Sequence, residues 1–373
     1  MRLLSIDRLR GLAIVLMTLD HARLTFGPNL DPTDLDEAPP LLFFTRWVTH
    51  FCAPAFVYLA GVSAYLSASR FPASPARHLL ARGLVLIGID LLVMPFAWDL
   101  HYPPQELIFG VLWAIGWSMI AGAFLFRLSP MRLLVLSVAI LALHNAFDPF
   151  DERWVHHPAY GWFWSFLHAP HHYTIAQHFG LDLLYPVLPW VAVMSVGYAS
   201  APFLFAESKH PRRRFFKLAL LLALAFLALR MTRTYGDPRL WSASADPLRS
   251  AMSFLNCTKY PPSLLFLLMT FALLFLGFGL ISNRPGRFAF LETFGRASLF
   301  YYLAHIFLLT LLYKSLLTLR AATGWRVNFA RYDLSMTLSY VAAPLVCALL
   351  FYPCRWYTRL RRRSAFAPWL KYL

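Results

Sequence analysis

The chain has 373 residues, of which 59% are hydrophobic, 17% aromatic and only 14% charged, with a mean hydropathy of +0.54. A soluble domain carries roughly 45–50% apolar and about 25% charged residues, so a globular core cannot absorb this surplus and lipid is the natural solvent for it. The net charge of +16 raises the question of nucleic acid, but the basic residues come in short clusters between long apolar runs, as at Lys209, Arg212, Arg213 and Arg214. That is how loops flanking membrane spans look, and no nucleic-acid partner is expected.

A helix needs about 20 mostly apolar residues to cross a bilayer. On that basis spans are predicted near 10–27, 47–68, 79–98, 105–127, 131–147, 181–205, 215–233, 262–282, 296–318 and 334–354. The expected fold class is all-α, a polytopic transmembrane helical bundle of about ten spans forming a single domain over 1–373. The opening apolar run, Gly11 to Leu19, leads into Asp20, His21 and Arg23 with no small-residue cleavage site, so it reads as a retained first span. With the N-terminus inside, the inner segments hold 22 of the 34 Lys and Arg residues, which predicts that both termini are cytoplasmic. Two long outer segments, 148–180 and 234–261, are rich in aromatic residues. Long segments of that kind are commonly functional. The four cysteines, Cys52, Cys257, Cys347 and Cys354, have no metal-ligand spacing and read as small core residues.

Ionisable residues inside spans are costly, and each is a candidate for function. The first span is the richest. Arg10 and His21 are eleven residues apart, which on a helix brings them within about 20° of one face and separates them by about 16 Å along the axis. Asp7, Arg10, Ile14, Met17 and His21 then form one stripe, and Arg10 and His21 are expected to line one cavity. A cation near the cytoplasmic mouth and an imidazole deeper in suit a ligand with an anionic head and a long neutral arm, such as coenzyme A. Arg8 or Arg10 would pair with its phosphates and His21 would act as general base. Asp20 is a poor orienter of its neighbour His21 and is expected to pair with Arg23; an orienting carboxylate should come from another helix. The bland alternative is that Asp20, His21 and Arg23 merely cap the outer end of the helix.

Further candidates are weaker. His50 starts the second span and could approach the outer end of the first. His305 reads equally well as a satisfied structural histidine. Asp90 and Glu106 are candidate buried partners for Arg or His. His168, His171 and His172 resemble a metal-ligand set only loosely, with no Cys or nearby Asp at helical spacing, so no metal is assigned. Gly61-Val62-Ser63 is a very weak match to an intramembrane serine protease.

The opening Ser5–Arg23 (SIDRLRGLAIVLMTLDHAR) resembles the signature of bacterial membrane proteins related to heparan-α-glucosaminide N-acetyltransferase, within the wider transmembrane acyltransferase group. Further matches are HFCAPAFVYLAGVSAYL, DLLYPVLPWVAVMSVGY, KYPPSLLFLLMT, GRASLFYYLAHIFL and YPCRWYTRLRRR with the terminal WLKYL, in order along nearly the whole chain. The resemblance implies a multi-pass protein of the bacterial cytoplasmic membrane that passes an acetyl or other short acyl group from cytoplasmic acyl-CoA to a carbohydrate acceptor. Acetyl-CoA is the donor it implies. In the wider group an Arg in the first span is followed eleven residues later by an essential His, and here those positions are Arg10 and His21. The heparan enzyme instead has its important histidine in the first lumenal loop. This chain has no His between Arg23 and Trp47, so that residue has no counterpart and His50 stands as a second catalytic candidate. The acceptor, the acyl length and any homo-oligomer are left open. A transporter or permease for a glycan or lipid intermediate is the rival reading, with Asp20, Asp90 and His21 as its path, and a structural membrane subunit is a third. The absence of an internal repeat argues against the transporter.

Overall fold

A computed structural model describes residues 4–68, 75–205, 211–281, 286, 288–324 and 331–363. Lys209 and the closing Trp369–Leu373 lie outside the described residues.

The chain opens with α1 (Leu4–Phe26), followed by α2 (Pro40–Thr49), α3 (Cys52–Ala68), α4 (Pro75–Leu92) and α5 (Met94–Asp99). Strand β1 (Glu106–Ile108) precedes α6 (Val111–Leu125) and α7 (Pro130–Leu143), and a 3-10 turn runs over His144–Phe150. The first long outer segment contains α8 (Asp151–Val155), α9 (Gly161–Leu167), β2 (His171–Ala176) and β3 (Phe179–Leu183). The rest is helical: α10 (Val187–Leu204), α11 (Pro211–Thr232), α12 (Pro247–Leu255), α13 (Leu264–Ile281), α14 (Ala289–Arg296), α15 (Ser298–Thr323) and α16 (Tyr332–Arg363). Proline opens α2, α5, α7 and α12 at their first turn, where its missing N–H costs nothing and its fixed φ suits the helix.

Among the described residues, eight stretches are long and apolar enough to cross a membrane: 40–68, 75–99, 130–155, 187–204, 212–232, 264–281, 298–323 and 332–361. They fall on eight of the ten predicted spans, and the chain is an all-α polytopic bundle. The other two, α1 and α6, are present as helices, α1 laden with charge and α6 only 15 residues long. The predicted span starts at 105 and 181 are corrected, because both begin in a small sheet. Its order is β1-β3-β2, with β1 parallel and β2 antiparallel to β3. Pro186 explains the late start of α10, since Tyr185 before it is pushed towards extended backbone, and α6 starts late because residues 106–108 pair with β3.

α1 is the hub. One apolar cluster joins Leu9 and Ala13 to α3, α10 and α13, and a second joins Ile14, Met17 and Ala22 to α15 and α16. On the α14 side the backbones nearly touch. A Cβ on Gly11 would lie 2.0 Å from the Leu291 carbonyl oxygen, and one on Gly295 would lie 1.8 Å from that of Asp7. Only glycine permits such an approach.

Candidate active site

The inner half of α1 splits its charges between two faces. Arg8 is buried and donates to Glu292 at 2.8 and 2.9 Å; Glu292 also takes Arg296 at 2.7 Å, and Arg296 lies 3.5 Å from Asp7. Arg8 therefore faces a carboxylate on α14, not the mouth predicted for it. Two positions on, 200° around the helix, Arg10 turns to α3. Its guanidinium donates to the Leu59 carbonyl at 2.9 Å and to the Ser63 hydroxyl. Ser63 thus meets an arginine, which gives no support to the protease reading.

Arg10 lines a cavity of about 110 Å³ with Ser63, Arg82, Ser298 and Tyr302 among its walls. The Nε of Arg82 is buried there with no hydrogen-bond partner. Two cations and three hydroxyls in an otherwise apolar chamber are groups able to hold an anion.

His21 does not line that cavity, which corrects the expectation of a single cavity holding both residues. The reason is packing: Trp98 and Tyr302 set their edges against its ring at centroid distances of 5.2 and 6.2 Å. Tyr302 is the shared wall, with Arg10 on one side and His21 on the other.

The orienting partner of His21 is not a carboxylate. Its Nδ1 lies 2.7 Å from Nε2 of His305, and Nδ1 of His305 lies 2.9 Å from the Tyr301 carbonyl oxygen. A carbonyl only accepts, so His305 carries its hydrogen on Nδ1 and, as a neutral ring, accepts at Nε2. His21 must then donate from Nδ1, leaving the Nε2 lone pair free. His305 is fully buried and His21 partly so. Asp20, as expected, accepts from Arg23 at 3.1 Å; it also accepts from Arg46, which no local pattern announces.

Beyond His21, a second cavity of about 570 Å³ opens at the end of the bundle that the charge count assigns to the outside. Arg23, Arg46, Arg239 and Lys259 line it, with His50, Tyr260 and Asp31. His50 is buried against Phe266, at a centroid distance of 5.3 Å, and its Nδ1 has no hydrogen-bond partner. Burial pushes the Tyr260 phenol up, but the Lys259 and Arg46 cations and a 3.3 Å contact with the Tyr185 hydroxyl outweigh it, and its pKa falls below that of an ordinary phenol.

The arrangement is an imidazole with a free Nε2 lone pair between an inner and an outer cation-lined chamber. The family described as heparan-alpha-glucosaminide N-acetyltransferase, catalytic, matches residues 2–234, which is more than half of the chain. The chain belongs to this family. No curated protein matches it. The stretch that matches the heparan-alpha-glucosaminide N-acetyltransferase family contains Arg10, His21, Arg46, His50 and Arg82, whereas Lys259, Tyr260, Tyr302 and His305 lie beyond it. Membership makes the chain one of a family of membrane acetyltransferases.

Other predicted site residues have structural partners. Asp90 accepts the Gly110 N–H at 2.7 Å and so holds the start of α6. Glu106 is exposed and pairs with His172 at 3.1 Å. His168 gathers not with His171 and His172 but with His144 and Asp148. Arg82, Lys259 and His305 as a partner for His21 were invisible in the sequence, because each is brought in by a helix or loop remote along the chain.

Proposed function

We propose that this protein is a membrane-embedded acyltransferase that moves an acetyl or other short acyl group from acyl-CoA to a hydroxyl or amine of a carbohydrate acceptor. The reading rests above all on the His21–His305–Tyr301 relay, which leaves a lone pair on His21 Nε2 between two cation-lined chambers.

In this reading the donor's phosphates meet Arg10 and Arg82 in the inner chamber, and its thioester reaches past Tyr302 to His21. Arg8 supports the site indirectly by anchoring α1 to Glu292. The acceptor enters from the outer chamber, beside His50, Arg46 and Lys259. His21 Nε2 takes the proton from the acceptor O–H or N–H as the acceptor atom bonds to the thioester carbon. The C–S bond breaks, and the leaving thiolate collects that proton from His21 as free CoA. General-base help of this kind contributes about 10²–10⁴-fold. His50 is the second candidate base, with its unpartnered Nδ1 facing the acceptor side.

Trp162, Trp164 and Trp241 are sugar-stacking candidates by position. Of these, Trp164 donates to Asp151 at 2.7 Å and Trp241 to the Arg230 carbonyl at 3.1 Å, so both brace the outer loops and only the exposed Trp162 is left for an acceptor.

The test is CoA release by the purified protein in nanodiscs, given labelled acetyl-CoA and a panel of amino sugars and neutral sugars. Acceptor-dependent release that disappears in His21→Ala supports the reading. Glycan uptake into proteoliposomes without CoA turnover would instead favour the permease.

A further inference from the structure

The 3-10 turn after α7 brings His144 and Asp148 to one side, four residues apart, and the end of α9 carries His168 against them. Nδ1 of His144 lies 3.3 Å from Nε2 of His168, and that Nε2 lies 3.9 Å from Oδ1 of Asp148. One ligand atom from each of the three falls within 4.8 Å of the others. Two imidazole nitrogens bound at 2.0–2.1 Å in a tetrahedron stand about 3.3 Å apart, which is the separation found. His144 and His168 are almost fully buried, and Oδ1 of Asp148 is buried with no hydrogen-bond partner.

The surroundings have the form that metal sites take one shell out. Asp151 lies 2.9 Å from Nδ1 of His168, which directs the lone pair of that ring onto Nε2, towards the cluster. Asn145 donates to the other oxygen of Asp148 at 2.9 Å, leaving Oδ1 for the centre. Trp164 donates to the same Asp151 oxygen and stacks on His168 at a centroid distance of 5.0 Å. The Nε2 of His168 also lies 3.0 Å from the His144 carbonyl oxygen, the contact it would keep if it carried a proton.

We propose that His144, Asp148 and His168 bind a divalent transition-metal ion of the zinc class. Two imidazoles and one carboxylate suit zinc, and three protein ligands leave a fourth position for water. The ion would staple the 3-10 turn to the end of α9. The neighbouring Asn145 accepts the Leu264 N–H at 2.8 Å, and Asp237 gathers Thr258 and Ser263, so the staple braces the 257–264 segment that presents Lys259 and Tyr260 to the outer chamber. This proposal is independent of the acyltransferase reading.

The test uses tag-free full-length protein in detergent, stripped with a chelator and titrated with Zn²⁺ alone. Metal analysis after dialysis should give about one zinc per chain, and zinc should raise the thermal midpoint of the stripped protein. Asp148→Asn and His168→Gln should weaken binding at least 100-fold, and Asp151→Asn about 10–100-fold. His171→Ala with His172→Ala should bind as the wild type does. Cobalt in place of zinc gives a second readout on wild type alone, through the visible bands of a tetrahedral site. Substoichiometric zinc with no thermal shift, or unchanged binding in Asp148→Asn, would overturn the proposal and leave His168 as a protonated ring held by Asp151.

Discussion

Nδ1 of His21 and Nε2 of His305 are 2.7 Å apart, and this contact decides which nitrogen of His21 is basic. Because His305 is itself fixed by the Tyr301 carbonyl, the polarity of His21 is set from α15 and not from α1.

Removing either ring should therefore slow turnover, for different reasons. His21→Ala should lower kcat by about 10²–10⁴-fold. His305→Ala should lower kcat with little change in KM for acyl-CoA, and His305→Gln, which can still accept from His21, should recover part of it. Steady-state kinetics on the three variants check this; a His305→Ala enzyme with wild-type kcat would remove the relay from the mechanism.

The two inner cations should act on the donor alone. Arg10→Ala and Arg82→Ala should each raise KM for acyl-CoA by roughly 10- to 100-fold, the range of a hydrogen bond to a charged group. The KM for the acceptor should stay within about twofold. Competition with the desulfo or dephospho donor distinguishes a phosphate contact from a general loss of packing.

The ion pair between Arg8 and Glu292 should matter for folding. Both side chains are largely buried, so Glu292→Ala removes a carboxylate that Arg8 and Arg296 share and should cost about 3–5 kcal/mol. A thermal melt in detergent should show a lower midpoint, and Arg8→Met combined with Glu292→Leu should restore much of it.

The expected architecture followed closely from the apolar runs, because length and hydropathy are all that lipid demands of a helix. Eight spans and both outer segments were legible in that way. The start of α6 was not: residues 106–108 lie at the edge of an apolar run, yet they pair with β3, a strand some 70 residues away. The site was legible along α1, where Arg10 and His21 share one face and Asp20 reaches Arg23 a turn on, and at His50. Arg82, Lys259 and His305 meet that helix by tertiary packing, and a single sequence records no trace of such meetings. The partition of Arg8 and Arg10 to opposite faces was readable from the 200° between them, but which face met a carboxylate was not.

A titration tests the outer chamber. The Lys259 and Arg46 cations favour the phenolate of Tyr260, so this residue should ionise below the roughly 10 of a free tyrosine. A difference absorbance titration of wild type against Tyr260→Phe should reveal a component with that early midpoint. Removing a cation takes away the stabilisation, so Lys259→Met should move the midpoint upward. A normal midpoint in the wild type would contradict the electrostatics of the chamber.

The near-contacts of Gly11 with Leu291 and of Gly295 with Asp7 bear on how such a protein could work across a barrier. Two backbones seated at that distance cannot slide past one another without collision, so α1 and α14 travel as one rigid rail. Any alternation between inward and outward access must then be made by elements other than this pair, around a stationary imidazole on α1.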